Sequence, residues 1–275
     1  MKEKKFAIIG KPLSHSLSPI MHNYWFDKYK IKARYDLMEI NDEDIKKVVD
    51  KIKKKELDGI NVTLPYKQKI IQYLGKLVND AKETHSVNTV YLAKNGELVG
   101  DNTDVFGMQA AYLSKINFNK LNSSALVLGA GGVAPSIIYA LTLSNFSKIS
   151  ISNRTYEKSI FLKKKFPLIN IIKWDEYNSP KLNYSLVINA TSLGMKNGNK
   201  FKNPINNIND ESIYIDTIYN PLETEMIKHL KNKNIKTFNG LDMLIYQGQK
   251  SFYIWNKVNP EIDDELINLL KDKIK

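Results

Sequence analysis

The apolar run Ala125–Leu128 leads straight into Gly129-Ala-Gly131-Gly132-Val-Ala134, and Ile137, Ile138 and Leu141 follow at helical spacing. Strand, glycine turn and helix in that order constrain this chain more than any other stretch. The first Gly permits the tight turn, the second lets a ligand approach the backbone, and the small Ala lets the helix pack close on the strand. Pro135 sits in the first helical turn, where a missing N–H costs little. Free N–H groups at such a junction form a seat for a diphosphate. Gly129, Ala130, Gly131, Gly132 and Val133 are therefore candidate cofactor contacts. The plain alternative is a tight βα turn that uses Gly only for steric reasons.

Further strands read at Ile149–Ser152, Leu186–Asn189, Tyr214–Asp216 and Lys236–Phe238, with helices between most of them. Repeated strand–helix units predict a parallel, doubly wound sheet of Rossmann type. The upstream block is also α/β. Strands read at Phe6–Ile9, Ala33–Ile40 and Gly59–Val62, and Val87–Leu92 and Glu97–Val99 flank the hairpin signal Asn95-Gly96. Helices are expected from Ser18 or Pro19, through Val48, Val49 and Ile52, over 67–74 and over 104–116. The tail 240–275 reads as helical, with Leu241, Leu244, Ile245, Gly248, Phe252 and Trp255 on one face. A chain of 275 residues accommodates two modest domains.

Composition narrows the function. There is no Cys, which excludes disulfides, thiolate nucleophiles and Cys-ligated zinc, and no metal site is expected. The formal net charge of +12 is almost all Lys, spread over many segments, and Arg34 and Arg154 are the only arginines. Arg is the preferred residue for reading bases, so the basic excess reads as solvated helix faces and not as a nucleic-acid surface. No apolar run approaches the ~20 residues of a membrane span. The charged start followed at once by a strand shows no signal peptide, and a cytoplasmic location is expected.

The end of the second strand of the downstream block chooses the cofactor. An NAD site wants Asp or Glu there for the ribose hydroxyls. Here Ser152 is followed by Asn153, Arg154 and Thr155, with Lys158 one turn later. Arg154 and Lys158 suit a 2′-phosphate, so the expected cofactor is NADP, held by Asn153, Arg154, Thr155 and Lys158. A capped helix beside an exposed Arg is the plainer alternative.

The upstream block places polar groups at strand ends, where α/β folds build sites. Ser16 and Ser18 lie at a strand-to-helix junction suited to a small carboxylate. Asn61 and Thr63 share one side of an extended segment that leads to Lys67, Asn88 lies on the next strand region, and Asn102-Thr-Asp104 opens a helix. Singly, each has a dull explanation as a cap, a turn or a surface group. Together they suit a polyhydroxylated, anionic small molecule. A Lys–Asp pair adds acid–base capacity, because hydride delivery to a carbonyl creates an alkoxide that a Lys ammonium can stabilise and protonate.

These residues resemble the NADP-dependent shikimate dehydrogenase family nearly end to end. The resemblance rests on Gly10–Pro19, Asn61–Lys67, Val87–Thr89, Asn102–Asp104, Gly129–Gly132, Asn153–Thr155, Asn189–Met195, Asp216–Pro221 and Gly240–Gln247. It implies NADPH-dependent, reversible reduction of 3-dehydroshikimate in aromatic amino-acid biosynthesis. It also implies two domains around a cleft: 1–103 with 240–275 for substrate, and 104–239 for NADP. Ser16 and Ser18, helped by Thr63 and Tyr219, would hold the substrate carboxylate. Asn61, Asn88, Asp104 and Gln247 would bond the ring hydroxyls. Lys67 and Asp104 match the catalytic pair, and Gly240 the nicotinamide contact. Two positions depart from the family. Asn79 stands where many relatives carry an acid, and Thr217 stands where an apolar residue often lines the nicotinamide region. The partner is expected to be a small molecule, and the chain a monomer or homodimer. The rival readings are a quinate/shikimate dehydrogenase with relaxed cofactor use and a noncatalytic NADP-binding protein.

Overall fold

A computed structural model describes residues 2–116, 123–206 and 208–274. The chain divides into two compact units, Met1–Gly107 with Ile245–Lys273, and Met108–Leu244 with Ile274–Lys275. The divisions expected at 103/104 and 239/240 fall a few residues away. Asp104 clusters with the first unit because its side chain is tied to Lys67 and Asn88. Gly240 clusters with the second because its N–H donates to Ile218 O.

In the first unit the elements are β1 (Lys4–Gly10), α1 (Ser18–Lys28), β2 (Ala33–Glu39), α2 (Ile45–Lys53), β3 (Gly59–Val62), β4 (Lys76–Leu77), α3 (Asp80–Thr84), β5 (Thr89–Leu92), β6 (Leu98–Asp101) and α4 (Asp104–Met108). The sheet order is β2-β1-β3-β5-β6-β4. It is mixed: β1 pairs in parallel with β2 and β3, whereas β5 runs antiparallel to β3 and β6. The β5–β6 hairpin turns at Asn95-Gly96, with Gly96 at φ +82°. Side chains alternate across β1. Ala7 and Ile9 join a cluster with Val48, Val49 and Ile52 of α2. Phe6 points the other way and stacks on Phe26 and Trp255, at centroid distances of 5.5 and 4.8 Å. Phe26 and Phe252 are fully buried, and each such side chain contributes about 2–3 kcal/mol of transfer free energy.

The second unit contains β7 (Ser124–Leu128), α5 (Ala134–Leu143), β8 (Lys148–Ser152), α6 (Tyr156–Lys165), β9 (Asn170–Ile172), β10 (Leu186–Asn189), β11 (Ile213–Asp216), α7 (Glu225–Lys231) and β12 (Lys236–Phe238). All its strand pairs are parallel, in the order β12-β11-β10-β7-β8-β9. Numbered within the unit this is 3-2-1-4-5-6, the doubly wound dinucleotide-binding order, which reverses between β7 and β10.

Two expectations needed correction, and the helical tail is as expected. The helix over 67–74 is a 3₁₀ turn at Lys69–Tyr73, because the Lys67 carbonyl accepts Val87 N (2.9 Å) and is lost to a helical ladder. The helix over 104–116 is α-helical only to Met108 and continues as a π-helix over Gln109–Leu113. The tail forms two helices, α8 (Leu241–Asn256) and α9 (Asp264–Asp272). Asp263 caps α9 by accepting Leu266 N, and it also accepts from Lys28 and Tyr24 of α1, which ties α9 to the first unit.

Candidate active site

Parallel pairing of β1 with β3 sends the loops after both strands out of one sheet edge. Lys11 N donates to Leu64 O (3.0 Å) and joins the two loops. The first loop carries Ser16 and enters α1 at Ser18, where Pro19 occupies the first turn. The hydroxyls differ in setting: Ser16 is half-buried and Ser18 is buried. Ser16 Oγ accepts Ser18 N at 3.4 Å. The second loop carries half-buried Thr63 and then Lys67.

Lys67 Nζ donates to Asp104 Oδ2 at 2.6 Å, with side-chain exposures of 10% and 7%. Asn88 is the hub behind this pair. Its Nδ2 donates to Asp104 Oδ1 (3.0 Å), Thr103 Oγ1 (2.8 Å) and Gln247 Oε1 (3.3 Å). Its Oδ1 accepts Thr103 N (2.8 Å) and Thr89 Oγ1 (3.0 Å). Asn102 Oδ1 accepts Asp104 N (2.9 Å) and fixes the carboxylate from the backbone side. The result is an ammonium held by an oriented carboxylate at low exposure. Losing either partner of such a pair strands a buried charge.

Asn61 is equally engaged. Its Nδ2 donates to Asn88 O, Thr89 Oγ1 and Ser251 Oγ, and its Oδ1 accepts from Tyr35. The polar set Ser16, Ser18, Asn61, Thr63, Lys67, Asn88, Asp104 and Gln247 thus lies within the first unit. Sequence reasoning missed Tyr35 and Ser251, and it named Thr89 and Thr103 only within their motifs. Ser251 carried a signal, since it follows Gln247 by four residues on α8 and shares its face. Tyr35 carried none, because it reads as one more aromatic on a strand. Asn79 serves the chain itself: its Nδ2 donates to Asp101 Oδ2 (2.8 Å), opposing the upward push that burial gives the Asp101 carboxyl. A carboxylate at this position would face Asp101 with no proton to share.

In the second unit the glycine loop lies at the sheet reversal. Gly129 adopts φ +107°, and a Cβ there would meet Thr191 Cγ2 at 2.8 Å and Ala190 O at 2.9 Å, so no larger residue fits. At Gly131 a Cβ would meet nothing nearer than Ala190 O at 4.0 Å, which leaves that face of the loop open. Asn153 Oδ1 accepts Ala130 N (3.0 Å) and its Nδ2 donates to Thr155 O (2.7 Å), bracing the loop against the end of β8. Arg154, Thr155 and Lys158 are exposed, and neither cation makes an ion pair among the described residues. These features fit a dinucleotide with a 2′-phosphate. Thr217 Oγ1 donates to Asn189 O (2.8 Å). A Cβ on Gly240 would lie 2.1 Å from Thr217 O, so close backbone approach alone demands glycine. Tyr219, half-buried, shares this segment of the second unit.

The second unit has a buried carboxylate of its own. Asp216 accepts from Asn189 Nδ2, Ile218 N, Tyr214 OH and Thr224 Oγ1. Burial pushes its carboxyl up to about 6 against the pull of those donors. Among the described residues no group of three or more His, Asp or Glu could hold a metal ion, and no helix is long and apolar enough to cross a membrane.

A doubly wound nucleotide-type unit, joined in one chain to an α/β unit that buries an oriented Lys–Asp pair, defines an oxidoreductase class. Residues 8–90 match the family model described as shikimate dehydrogenase substrate binding domain, and residues 112–239 match that described as shikimate / quinate 5-dehydrogenase. A protein of Pelagibacter ubique named shikimate dehydrogenase (NADP(+)) is 44% identical over 268 residues, covering 98% of this chain and 99% of the relative. One of the same name from Methanococcus maripaludis is 36% identical, covering 95% of each chain. A crystal structure of a shikimate dehydrogenase in complex with NADP+ superposes with TM-score 0.88 at 34% identity, covering 99% of this chain and 96% of the other. The Thermus thermophilus enzyme in complex with NADP(H) and shikimate gives 0.84 at 27% identity, covering 98% of each. The chain belongs to the shikimate dehydrogenase family.

Proposed function

We propose that this chain catalyses the reversible, NADPH-dependent reduction of 3-dehydroshikimate to shikimate. The observation that carries the reading is the buried Lys67–Asp104 pair, braced by Asn88 and Asn102, in a chain whose relatives are named for this reaction. The first unit serves as the substrate unit and the second as the NADP unit. Bound NADPH supplies a hydride. The open face of Gly131 at the glycine turn, with the cations Arg154 and Lys158, which make no ion pair among the described residues, is suited to its diphosphate and 2′-phosphate.

The remaining chemistry belongs to the chain. Ser16 and Ser18, with Thr63, take the substrate carboxylate. Asn61, Asn88 and Gln247 orient the ring hydroxyls. Lys67 holds a proton at the C3 oxygen, stabilises the negative charge that develops there and donates the proton to it, drawing a replacement from solvent. Asp104 keeps the ammonium charged and aimed. Thr217 and Gly240 border the nicotinamide. The test is NADPH consumption with 3-dehydroshikimate, using NADH as control. Turnover with NADPH and a much lower kcat/KM with NADH is expected. A higher kcat/KM for quinate with NAD overturns the assignment in favour of the quinate reading.

A further inference from the structure

Tyr35 is 1% exposed, yet it carries a polar group into the middle of the site network. Its hydroxyl lies 2.7 Å from Asn61 Oδ1. The orientation of the Asn61 amide is fixed independently, because Asn88 O, 2.9 Å from Nδ2, can only accept. Tyr35 is therefore the donor. Burial pushes this phenol well above its ordinary value, so it stays protonated and able to donate. The hydroxyl thus holds a candidate ring-hydroxyl ligand on β3 from behind.

The rest of Tyr35 is locked. Its backbone N–H donates to Asn23 Oδ1 (2.9 Å), and its carbonyl accepts Asn23 Nδ2 (3.0 Å). Its ring stacks on His22, with centroids 4.4 Å apart and planes at 3°. His22 is fully buried, neither ring nitrogen has a hydrogen-bond partner, and burial drives it down to about 3, so the stacking partner is uncharged. Nothing about the fold of β2 requires a hydroxyl here. A Phe would fill the same space and stack on the same ring.

We propose that Tyr35 is a positioning residue for the substrate site, its hydroxyl setting the Asn61 carboxamide for a ring hydroxyl of the ligand. The inference rests on the substrate assignment made above. Tyr35 acts through its neighbours and touches neither substrate nor cofactor.

The test is Tyr35→Phe, alone and combined with Asn61→Ala, in steady-state assays of shikimate oxidation. Losing one hydrogen bond corresponds to about a tenfold rise in KM for shikimate. The KM for NADP stays within twofold, and kcat changes far less than KM. On the Asn61→Ala background, Tyr35→Phe adds less than twofold, because the group it orients is gone. Should Tyr35→Phe not accumulate as folded protein, Tyr35→Leu and Tyr35→Gln take its place: the first loses the donor to Asn61 and should raise KM for shikimate, and the second keeps a donor and should restore part of it. An unchanged KM in folded Tyr35→Phe, full additivity in the working cycle, or equal loss for both substrates overturns the proposal. If the wild-type protein itself fails to oxidise shikimate with NADP, the functional reading fails instead.

Discussion

Asp104 and Asp216 are both buried carboxylates, one in each unit, and their surroundings differ in kind. Asp104 has a cation at 2.6 Å, with one oxygen given to Lys67 and the other to Asn88. Asp216, with no exposure at all, meets only neutral donors: a backbone amide, a carboxamide and two hydroxyls. Dipoles can hold a carboxylate in place but do not cancel its charge, and its carboxyl is pushed up to about 6. The first arrangement keeps a mobile proton next to a negative charge, as acid–base chemistry requires. The second clamps three segments, since Asn189 ends β10, Asp216 ends β11 and Thr224 caps α7. In this chain the carboxylate paired with an ionisable ammonium is the catalytic candidate, and the one held by neutral donors is a clamp. His22 extends the contrast, being buried with no hydrogen-bond partner for either ring nitrogen among the described residues.

The largest expected effect is on the paired site. Lys67→Met should lower kcat by about 10²–10⁴-fold, the usual contribution of a positioned proton donor, while KM for shikimate moves much less. Activity within threefold of wild type would remove Lys67 from the chemistry and erase the contrast with Asp216.

His22 comes next. Its folded value near 3 lies below the ordinary 6.5, so the unfolded chain binds more protons between those pH values. Stability should therefore be whole above pH 6.5 and fall as the pH drops toward 3. This one group accounts for a loss on the order of 4–5 kcal/mol, at about 1.4 kcal/mol per unit of displacement. Urea unfolding of wild type and His22→Leu across that range isolates the effect as a difference curve. Parallel curves would show that His22 is not held neutral.

Asp216 should show the opposite slope. Its folded value is raised from 3.8, so the folded state binds more protons between pH 4 and 6. Its contribution favours folding below pH 4 and is lost as the pH rises through 6, by about 3 kcal/mol. Asp216→Asn should remove this dependence without shifting the pH profile of kcat. A shifted kcat profile would mean that the two carboxylates are not as separate as their partners imply.

The smallest effect is on the cofactor side. Arg154 is exposed and makes no ion pair among the described residues, so its contact with a 2′-phosphate is worth about one charge-assisted hydrogen bond. Arg154→Ala should raise KM for NADPH about tenfold and leave that for NADH unchanged. An equal change for both would place Arg154 elsewhere.

Much of the site was legible from short motifs. Gly129, Lys67 and Asp104 stand in patterns whose spacing fixes local geometry, and a glycine turn between a strand and a helix has few alternatives. The bracing network was not legible. Asn88 and Asn61 read as groups that face a ligand, yet their amides are largely spent on Thr103, Asp104, Tyr35 and Ser251. Ser251 lies 190 residues from Asn61 in the chain, and no local pattern announces such a pairing. The helix expected through Lys67 failed for the same reason, since a distant amide, Val87 N, claimed its carbonyl.

The sequence by itself determined the glycine turn, the alternation of strands and helices, the parallel second sheet and the residue types able to do the chemistry. All of these follow from local sterics and from side-chain period along one element. Tertiary structure alone decided which carboxylate received the cation, which carbonyl left its helix and which tyrosine reached the site. Each of those outcomes depends on hydrogen-bond donors and acceptors brought together from far apart in the chain, where an unpaired buried polar group is costly and most find a partner.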